Sequence, residues 1–105
     1  MSVLQKVINV LRTNGYKVVN SFDAVIPGLC YVELTRIARE PEVSDLRKRA
    51  YIVDVYYGIR DLDKKVDEVE QIMDALAIGV QGVIGLTCDF QDRFAKITIE
   101  ILTYA

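Results

Sequence analysis

The chain has 105 residues, a length that fits one compact domain and is too short for two. Hydrophobic residues make up 51% of it and charged residues 27%, which excludes a disordered chain because enough apolar surface is available to offset the entropy cost of ordering. The net charge is −2, so the chain lacks the excess of basic residues that is typical of nucleic-acid-binding domains, and no direct nucleic-acid partner is expected. The longest uncharged run, residues 75–88, is shorter than the ~20 apolar residues that cross a bilayer, so no membrane partner is expected either.

The first predicted element is an amphipathic helix. Ser2 and Gln5 have the spacing of a capping box, in which each side chain satisfies a free backbone N–H at the helix start. Apolar residues then recur at helical spacing and form one stripe: Val3, Leu4, Val7, Ile8 and Leu11. Asn14 and Gly15 end the helix, because glycine adopts the left-handed conformation typical of helix stops.

Strand-like sequence comes next. Tyr16–Val19 is β-prone, and Phe22 and Val25 continue an irregular apolar pattern up to a Pro-Gly turn pair. Leu29–Ile37 then alternates as a strand. The polar segment Ala38–Arg47 predicts a long loop, since its proline is excluded from a central strand.

Ala50–Ile59 is the strongest strand in the sequence. One face is apolar at every second position, namely Tyr51, Val53, Val55, Tyr57 and Ile59. Ile52 and Tyr56 add apolar area to the opposite face. A strand that is apolar on both sides is typically central in its sheet or covered twice. A chain with two helices has little left to cover a second face, and a partner subunit could cover it.

The second helix is predicted from Asp61 or Asp63 to Ile78, with either aspartate as its cap. Its inward residues are predicted to be Val66, Val69, Ile72, Met73 and Leu76. Its outward residues are predicted to be Asp67, Glu68, Gln71 and Asp74.

The chain closes with a predicted hairpin of Val83–Phe90 and Phe94–Tyr104. The first strand places four residues on one face: Ile84, Leu86, Cys88 and Phe90. The second strand points three residues inward: Ile97, Ile99 and Ile101. The order αβββαββ predicts an α+β fold, with two helices packed on one face of a mostly antiparallel sheet.

No constellation in the sequence predicts catalysis. Histidine is absent, which removes the commonest general base and metal ligand. Cys30 and Cys88 have mainly apolar strand neighbours and are interpreted as buried reduced thiols, with a disulfide between them as the alternative. The glycines near residue 80 lack the lysine of a phosphate loop. We therefore expect no enzyme, and no catalytic, cofactor-binding or metal-binding residue.

The charges are segregated along the chain. Residues 36–49 contain five basic and three acidic residues, and residues 60–70 contain three basic and five acidic residues. These are either two solvated surfaces or, as a sharper hypothesis, a basic loop of one subunit that meets the acidic helix of the next. Exposed tyrosines are also enriched at interfaces. The candidate interface residues are Arg39, Glu40, Glu42, Asp45, Arg47, Lys48 and Arg49, with Tyr31, Tyr56 and Tyr104.

Several segments in this order resemble one family. They are Val3-Leu4-x-x-Val7-Ile8-x-x-Leu11, Cys30-Tyr31-Val32-Glu33-Leu34, Tyr51-Ile52-Val53-Asp54-Val55-Tyr56-Tyr57, Ile72-Met73-Asp74-Ala75-Leu76, and a final hairpin from Cys88-Asp89-Phe90 to Ile97-Thr98-Ile99-Glu100-Ile101. The chain is similar, over nearly its whole length, to the small tail terminator (tail completion) proteins of tailed phages and prophages.

The resemblance implies an α+β subunit that forms a ring, typically a hexamer, on the end of the tail tube. Such a ring stops tube growth and joins the tail to the head. The implied partners are further copies of the chain, the tail tube and head-completion proteins, with no cofactor. The implied location is the virion tail, after synthesis in the cytoplasm of the bacterial host.

Two alternatives remain open. One is a small ferredoxin-like ligand-binding or regulatory subunit, which a pocket with convergent polar groups would favour. The other is a phage head–tail joining protein of similar proportions. A flat apolar sheet edge that pairs between subunits would favour the ring.

Overall fold

The computed structural model describes residues 2–39 and 48–104 of the chain. Its elements are α1 (Val3–Thr13), β1 (Lys17–Val19), a 3-10 turn (Phe22–Ala24), β2 (Leu29–Arg39), β3 (Lys48–Gly58), a second 3-10 turn (Leu62–Lys64), α2 (Lys65–Gly79), β4 (Val83–Phe90) and β5 (Phe94–Tyr104). The α+β class is confirmed, and the order of elements is consistent with the predicted one. Neither described helix is long and apolar enough to cross a membrane.

The five strands form one mixed sheet in the order β1-β2-β3-β5-β4. β1 runs parallel to β2, and the other neighbours are antiparallel. β3 therefore lies in the middle of the sheet, as its two-sided apolar pattern predicts.

Both helices pack on one face of this sheet. Val7 and Leu11 of α1 are fully buried against it, and so are Ile72 and Leu76 of α2. The strands contribute alternate residues to the same core, among them Cys30, Val32, Val53, Val55, Tyr57, Ile97, Ile99 and Ile101. Full burial stabilises the fold by roughly 1.5–3 kcal/mol for each large apolar side chain, so this single layer of contacts holds the sheet and helices together.

The helix ends follow the predicted chemistry in part. The Ser2 hydroxyl accepts a hydrogen bond of 3.1 Å from the Gln5 backbone N–H. The Gln5 side chain, however, donates to Asn9 at 2.9 Å instead of closing the capping box. Asp61 caps the second 3-10 turn through the Asp63 backbone N–H, and α2 itself begins at Lys65.

Several boundaries differ from the prediction. Phe22 and Val25 do not extend a strand, because the chain makes a 3-10 turn there. Ala38 and Arg39 belong to β2, not to a loop, because they pair directly with Ala50 and Arg49 of β3. Residues 40–47 of the predicted loop lie outside the described residues.

Three predicted side-chain orientations are wrong. Val66 is 51% exposed, because it lies beside the buried stripe of α2 and not within it. Glu68 is half-buried and contacts β3 where solvent exposure was predicted. Ile84 is 58% exposed, because the pairing of β4 with β5 shifts between Val83 and Gly85, so that Val83 packs against the core in its place.

Candidate functional site: an exposed arm, an open sheet face and a groove

At one end of the β2–β3 hairpin the outer edge of β2 has no described partner strand, although β5 continues to pair with β3 over the same length. β1 pairs only with Leu29, Cys30 and Tyr31. From Val32 to Arg39, no described strand lies along the outer edge of β2. We name residues 33–39 and 48–52 the arm. An edge strand presents unpaired N–H and C=O groups, which makes it a template for pairing with another chain.

The arm exposes apolar side chains on the helix side of the sheet. Leu34 pairs with the buried Val53, so both residues share the face that the helices cover. Leu34 is nevertheless 36% exposed, and Ile37, farther along the same face, is 55% exposed. The helix-binding face of the sheet therefore continues beyond the reach of α1 and α2.

Two arginines lie directly opposite each other at the tip of the arm. Arg39 of β2 pairs with Arg49 of β3, and the register places both on the helix side, beyond Ile37. Like charges opposite each other across strands are destabilising. The Arg49 Nε atom is buried and has no hydrogen-bond partner in the described part of the chain. An unsatisfied buried donor costs roughly 1–3 kcal/mol, so this end of the arm favours an anionic partner.

The opposite face of the sheet is open in the described part of the chain, since both helices lie on the other side. Four aromatic rings cluster at one end of it. The Phe22 ring centroid lies 4.9 Å from that of Tyr56 and 5.2 Å from that of Phe94. Tyr31 stacks on Tyr56 at 6.0 Å. Phe22 comes from the first 3-10 turn, so the turn covers only this end of the face.

A carboxylate is buried in the middle of the same open face. Asp54 of β3 is 5% exposed and accepts a hydrogen bond of 2.8 Å from the Thr98 hydroxyl. On the neighbouring strand β2, the residue directly opposite Asp54 is Glu33. Burial, followed by the charge of Asp54, raises the pKa of the adjacent Tyr56. Glu33, Asp54 and Thr98, on β2, β3 and β5, therefore form a polar row beside the aromatic cluster.

A groove of about 540 Å³ lies between the first 3-10 turn and the ends of β3 and β5. Its walls include the exposed apolar residues Ile26 and Leu62, and two arginines, Arg60 and Arg93, reach it from separate loops. Gly58 lets the chain segments meet here, because a Cβ atom on it would lie 2.1 Å from the Ile26 carbonyl oxygen. The groove thus combines an apolar wall with cationic groups.

A hydrogen-bonded cluster ties α2 to β3 beside this groove. Glu68 accepts from the Tyr57 hydroxyl at 2.5 Å and from the backbone N–H groups of Arg60 and Asp61 at 3.0 and 2.8 Å. Burial works to raise the pKa of Glu68, but these hydrogen bonds outweigh it and hold the pKa below its usual value. Burial and the bond to Glu68 raise the pKa of Tyr57. At neutral pH Glu68 is therefore ionised and Tyr57 is protonated. This state suits a structural role better than proton transfer.

The two cysteines are free thiols, as predicted, but only Cys30 is buried and Cys88 is half-buried. Burial raises the pKa of Cys30 to about 12. Burial also raises the pKa of Cys88, followed by the charge of Asp89. Both thiols are therefore protonated at neutral pH, and a thiol in that state is a poor nucleophile. Among residues 2–39 and 48–104, no three Cys, Asp or Glu side chains are grouped to hold a metal ion.

The predicted interface residues fall into separate places. Arg39, Lys48 and Arg49 lie on the arm, and Tyr31 and Tyr56 stack on the open face. Tyr104 is 66% exposed at the end of β5, opposite Lys48. The other predicted residues lie outside the described part of the chain: Glu40, Glu42, Asp45 and Arg47.

Sequence reasoning missed the apolar part of the arm and the groove. The alternation of Leu34 with Cys30 and Val32 predicts that the three share one face of the strand, but it does not show that Leu34 is exposed there. The short length of β1 was the available signal, since three residues cannot cover the whole of β2. Arg60 and Arg93 gave no local signal, because only the fold brings them together.

No protein-family model matches this sequence, and no curated protein is similar to it at a significant level.

Proposed function

We propose that this chain is a non-enzymatic structural protein of a phage or prophage tail. Copies of it form a ring that terminates the tail tube and joins it to the head. Its partners are then other copies of itself, the tail tube and head-completion proteins, and it resides in the virion tail after synthesis in the host cytoplasm.

The observation that carries this proposal is the edge of β2 from Val32 to Arg39, along which no strand of the described residues pairs, with Leu34 and Ile37 exposed beside it. An edge of this kind is costly in a free subunit, because it invites association. A head-to-tail contact between different surfaces of identical subunits closes into a ring when the rotation permits. The open sheet face, with its aromatic cluster, gives a second surface that a neighbour can cover.

The chemistry of the described residues also supports a structural role. Both thiols are held protonated, and the Tyr57–Glu68 pair is used to fix α2 on β3. Asp54, the one buried charged residue of the described chain, is bonded to Thr98. None of these groups is poised to attack a substrate or to move a proton.

The first experiment is the solution mass of the purified chain by light scattering, over a range of protein and salt concentrations. We expect one discrete oligomer near six subunits, and annular particles of the same preparation by negative-stain electron microscopy. A chain that stays monomeric at every concentration would contradict self-assembly and would favour the ligand-binding function.

The second candidate function is binding of a small anionic, partly apolar ligand, and the groove beside Arg60 and Arg93 favours it. Anilinonaphthalene sulfonate, an aromatic anion, is a suitable probe. We expect saturable fluorescence enhancement that weakens in Arg60→Ala and Arg93→Ala but not in the control Arg12→Ala, which lies on α1 outside the groove. Equal titrations for all three variants would remove this candidate.

A further inference from the structure

We propose that the helix side of the arm receives the outer face of α2 from a second copy of the chain. This inference rests on the proposed self-assembly and names the two surfaces that make the contact. On the arm these are Leu34, Ile37, Arg39 and Arg49. On the helix they are Val66, Asp67, Glu70, Asp74 and Ile78.

The exposed apolar residues of the arm form a surface on which a helix can pack. Leu34 and Ile37 continue the same sheet face on which α1 and α2 are packed, yet they remain 36% and 55% exposed. A sheet buries an apolar face of this kind against a second layer, and helices already form that layer over the rest of the face. A further helix on the arm would extend the existing layer without changing its architecture.

The arm also specifies the charge of the incoming helix. Arg39 and Arg49 are directly opposite each other, and the Arg49 Nε atom is buried without an acceptor. A carboxylate between the two guanidinium groups would satisfy the buried donor and relieve the repulsion. Charge-assisted hydrogen bonds of this type are roughly twice as strong as neutral ones.

The outer face of α2 has the matching composition. Asp67, Glu70 and Asp74 recur at steps of three and four residues, so they form one stripe, and all three are exposed. Val66 and Ile78 flank this stripe and are 51% and 87% exposed. Exposed apolar residues that border a row of carboxylates mirror the apolar and cationic residues of the arm.

The two surfaces are also comparable in length. From Val66 to Ile78 an α-helix rises roughly 18 Å, at about 1.5 Å per residue. From Leu34 to Arg39 the strand extends roughly 14 Å, at about 3.4 Å per residue, because β2 has a bulge between Leu34 and Arg36 and spans only the four steps from Val53 to Arg49 of β3. Because the arm and α2 are different surfaces of one chain, each copy gives its arm to one neighbour and its helix to the other. This is the head-to-tail arrangement that closes into a ring.

Charge reversal tests the pairing. We expect the double variant Arg39→Glu/Arg49→Glu and the double variant Asp67→Lys/Glu70→Lys each to weaken assembly about tenfold or more at low salt. The chain that carries all four changes should regain assembly, because both sides of the contact are reversed together. Lys6→Glu/Lys17→Glu, on exposed positions of α1 and β1, is the matched control and should assemble like the wild type.

Cysteine pairing tests the geometry in the Cys88→Ala background. Copies with Ile37→Cys are mixed with differently tagged copies carrying Glu70→Cys and oxidised under mild conditions. We expect a disulfide-linked pair that contains one copy of each, and little product when Lys17→Cys replaces Ile37→Cys. Circular dichroism of every variant confirms that the comparison is between folded chains.

The outcomes separate this inference from the proposed function. Suppose that the wild type is oligomeric. If the double variants keep the same mass, or if the chain with all four changes stays dissociated, the arm–helix contact is overturned and the proposed ring is not. A wild type that is monomeric throughout, together with no disulfide between the Ile37→Cys and Glu70→Cys copies, overturns both.

Discussion

The Glu68 carboxylate on α2 accepts a 2.5 Å hydrogen bond from the Tyr57 hydroxyl on β3. The same carboxylate accepts from two backbone N–H groups, of Arg60 and Asp61, in the segment that joins these elements. One side chain therefore fixes the end of the central strand, the connection and the first turns of the helix. The acidic outer stripe of α2 depends on this anchor for its position.

Replacing Glu68 should destabilise the whole domain. In Glu68→Gln one carboxylate oxygen becomes an NH2 group that faces an N–H donor, so we expect a loss of about 1–3 kcal/mol in the free energy of unfolding. Tyr57→Phe removes only one of the three bonds and should cost about 1 kcal/mol. Urea denaturation measures both. Glu70→Gln, on the exposed side of the same helix, is the control and should change stability by less than about 0.5 kcal/mol.

Acid should weaken the fold through the same residue. The pKa of Glu68 is lower in the folded chain than its ordinary value of 4.5. The unfolded chain therefore binds a proton first as the pH falls, so the stabilisation is present above pH 4.5 and is lost as the pH falls through the folded pKa. We expect the urea midpoint of the wild type to drop more between neutral pH and pH about 3 than that of Glu68→Gln. Parallel curves would show that Glu68 contributes nothing to acid sensitivity.

Much of the fold follows from periodicity. The three alternating isoleucines of β5, Ile97, Ile99 and Ile101, are buried as their spacing predicts, because the central strand β3 keeps its register with them throughout. The same reasoning failed at Ile84, where a bulge in β4 reverses the alternation without any change in composition. Periodicity reports which residues share a face, but a bulge depends on the partner strand.

The candidate site was less predictable for a related reason. Leu34 and Ile37 read as ordinary strand residues, and their exposure depends on how far other elements extend over them. That extent is set by the short β1, which the sequence indicates, and by the position of α1 on the sheet, which is a tertiary property. The basic character of residues 36–49, in contrast, was visible directly, because charge requires no partner to be recognised.

The two cysteines should differ in accessibility while both react slowly. Cys30 is fully buried and Cys88 is half-buried, and burial raises the pKa of each thiol. At neutral pH we expect an aromatic disulfide reagent to modify Cys88 first and Cys30 only after unfolding in urea. Cys88→Ala, which leaves one thiol, should then show no fast phase. Rapid modification of Cys30 in the folded chain would mean that α1 opens readily from the sheet.

Gly58 should be difficult to replace by any residue that carries a Cβ atom. A Cβ atom there would lie 2.1 Å from the Ile26 carbonyl oxygen, which is backbone and cannot rotate away. The Gly28 N–H also donates to the Gly58 carbonyl at 2.8 Å, so displacing the segment breaks that bond as well. We expect Gly58→Ala to lower the free energy of unfolding by about 2–4 kcal/mol. The groove wall beside Ile26 would open at the same time.

The matched control is Gly85→Ala, because a Cβ atom there meets only the Glu100 side chain, at 3.5 Å. Its stability should stay within about 0.5 kcal/mol of the wild type. Comparing the urea midpoints of the two variants with their binding of anilinonaphthalene sulfonate separates a local change in the groove from a global one. If Gly58→Ala is as stable as Gly85→Ala, then residues 22–27 do not pack against β3 in solution, and the groove loses the wall that defines it.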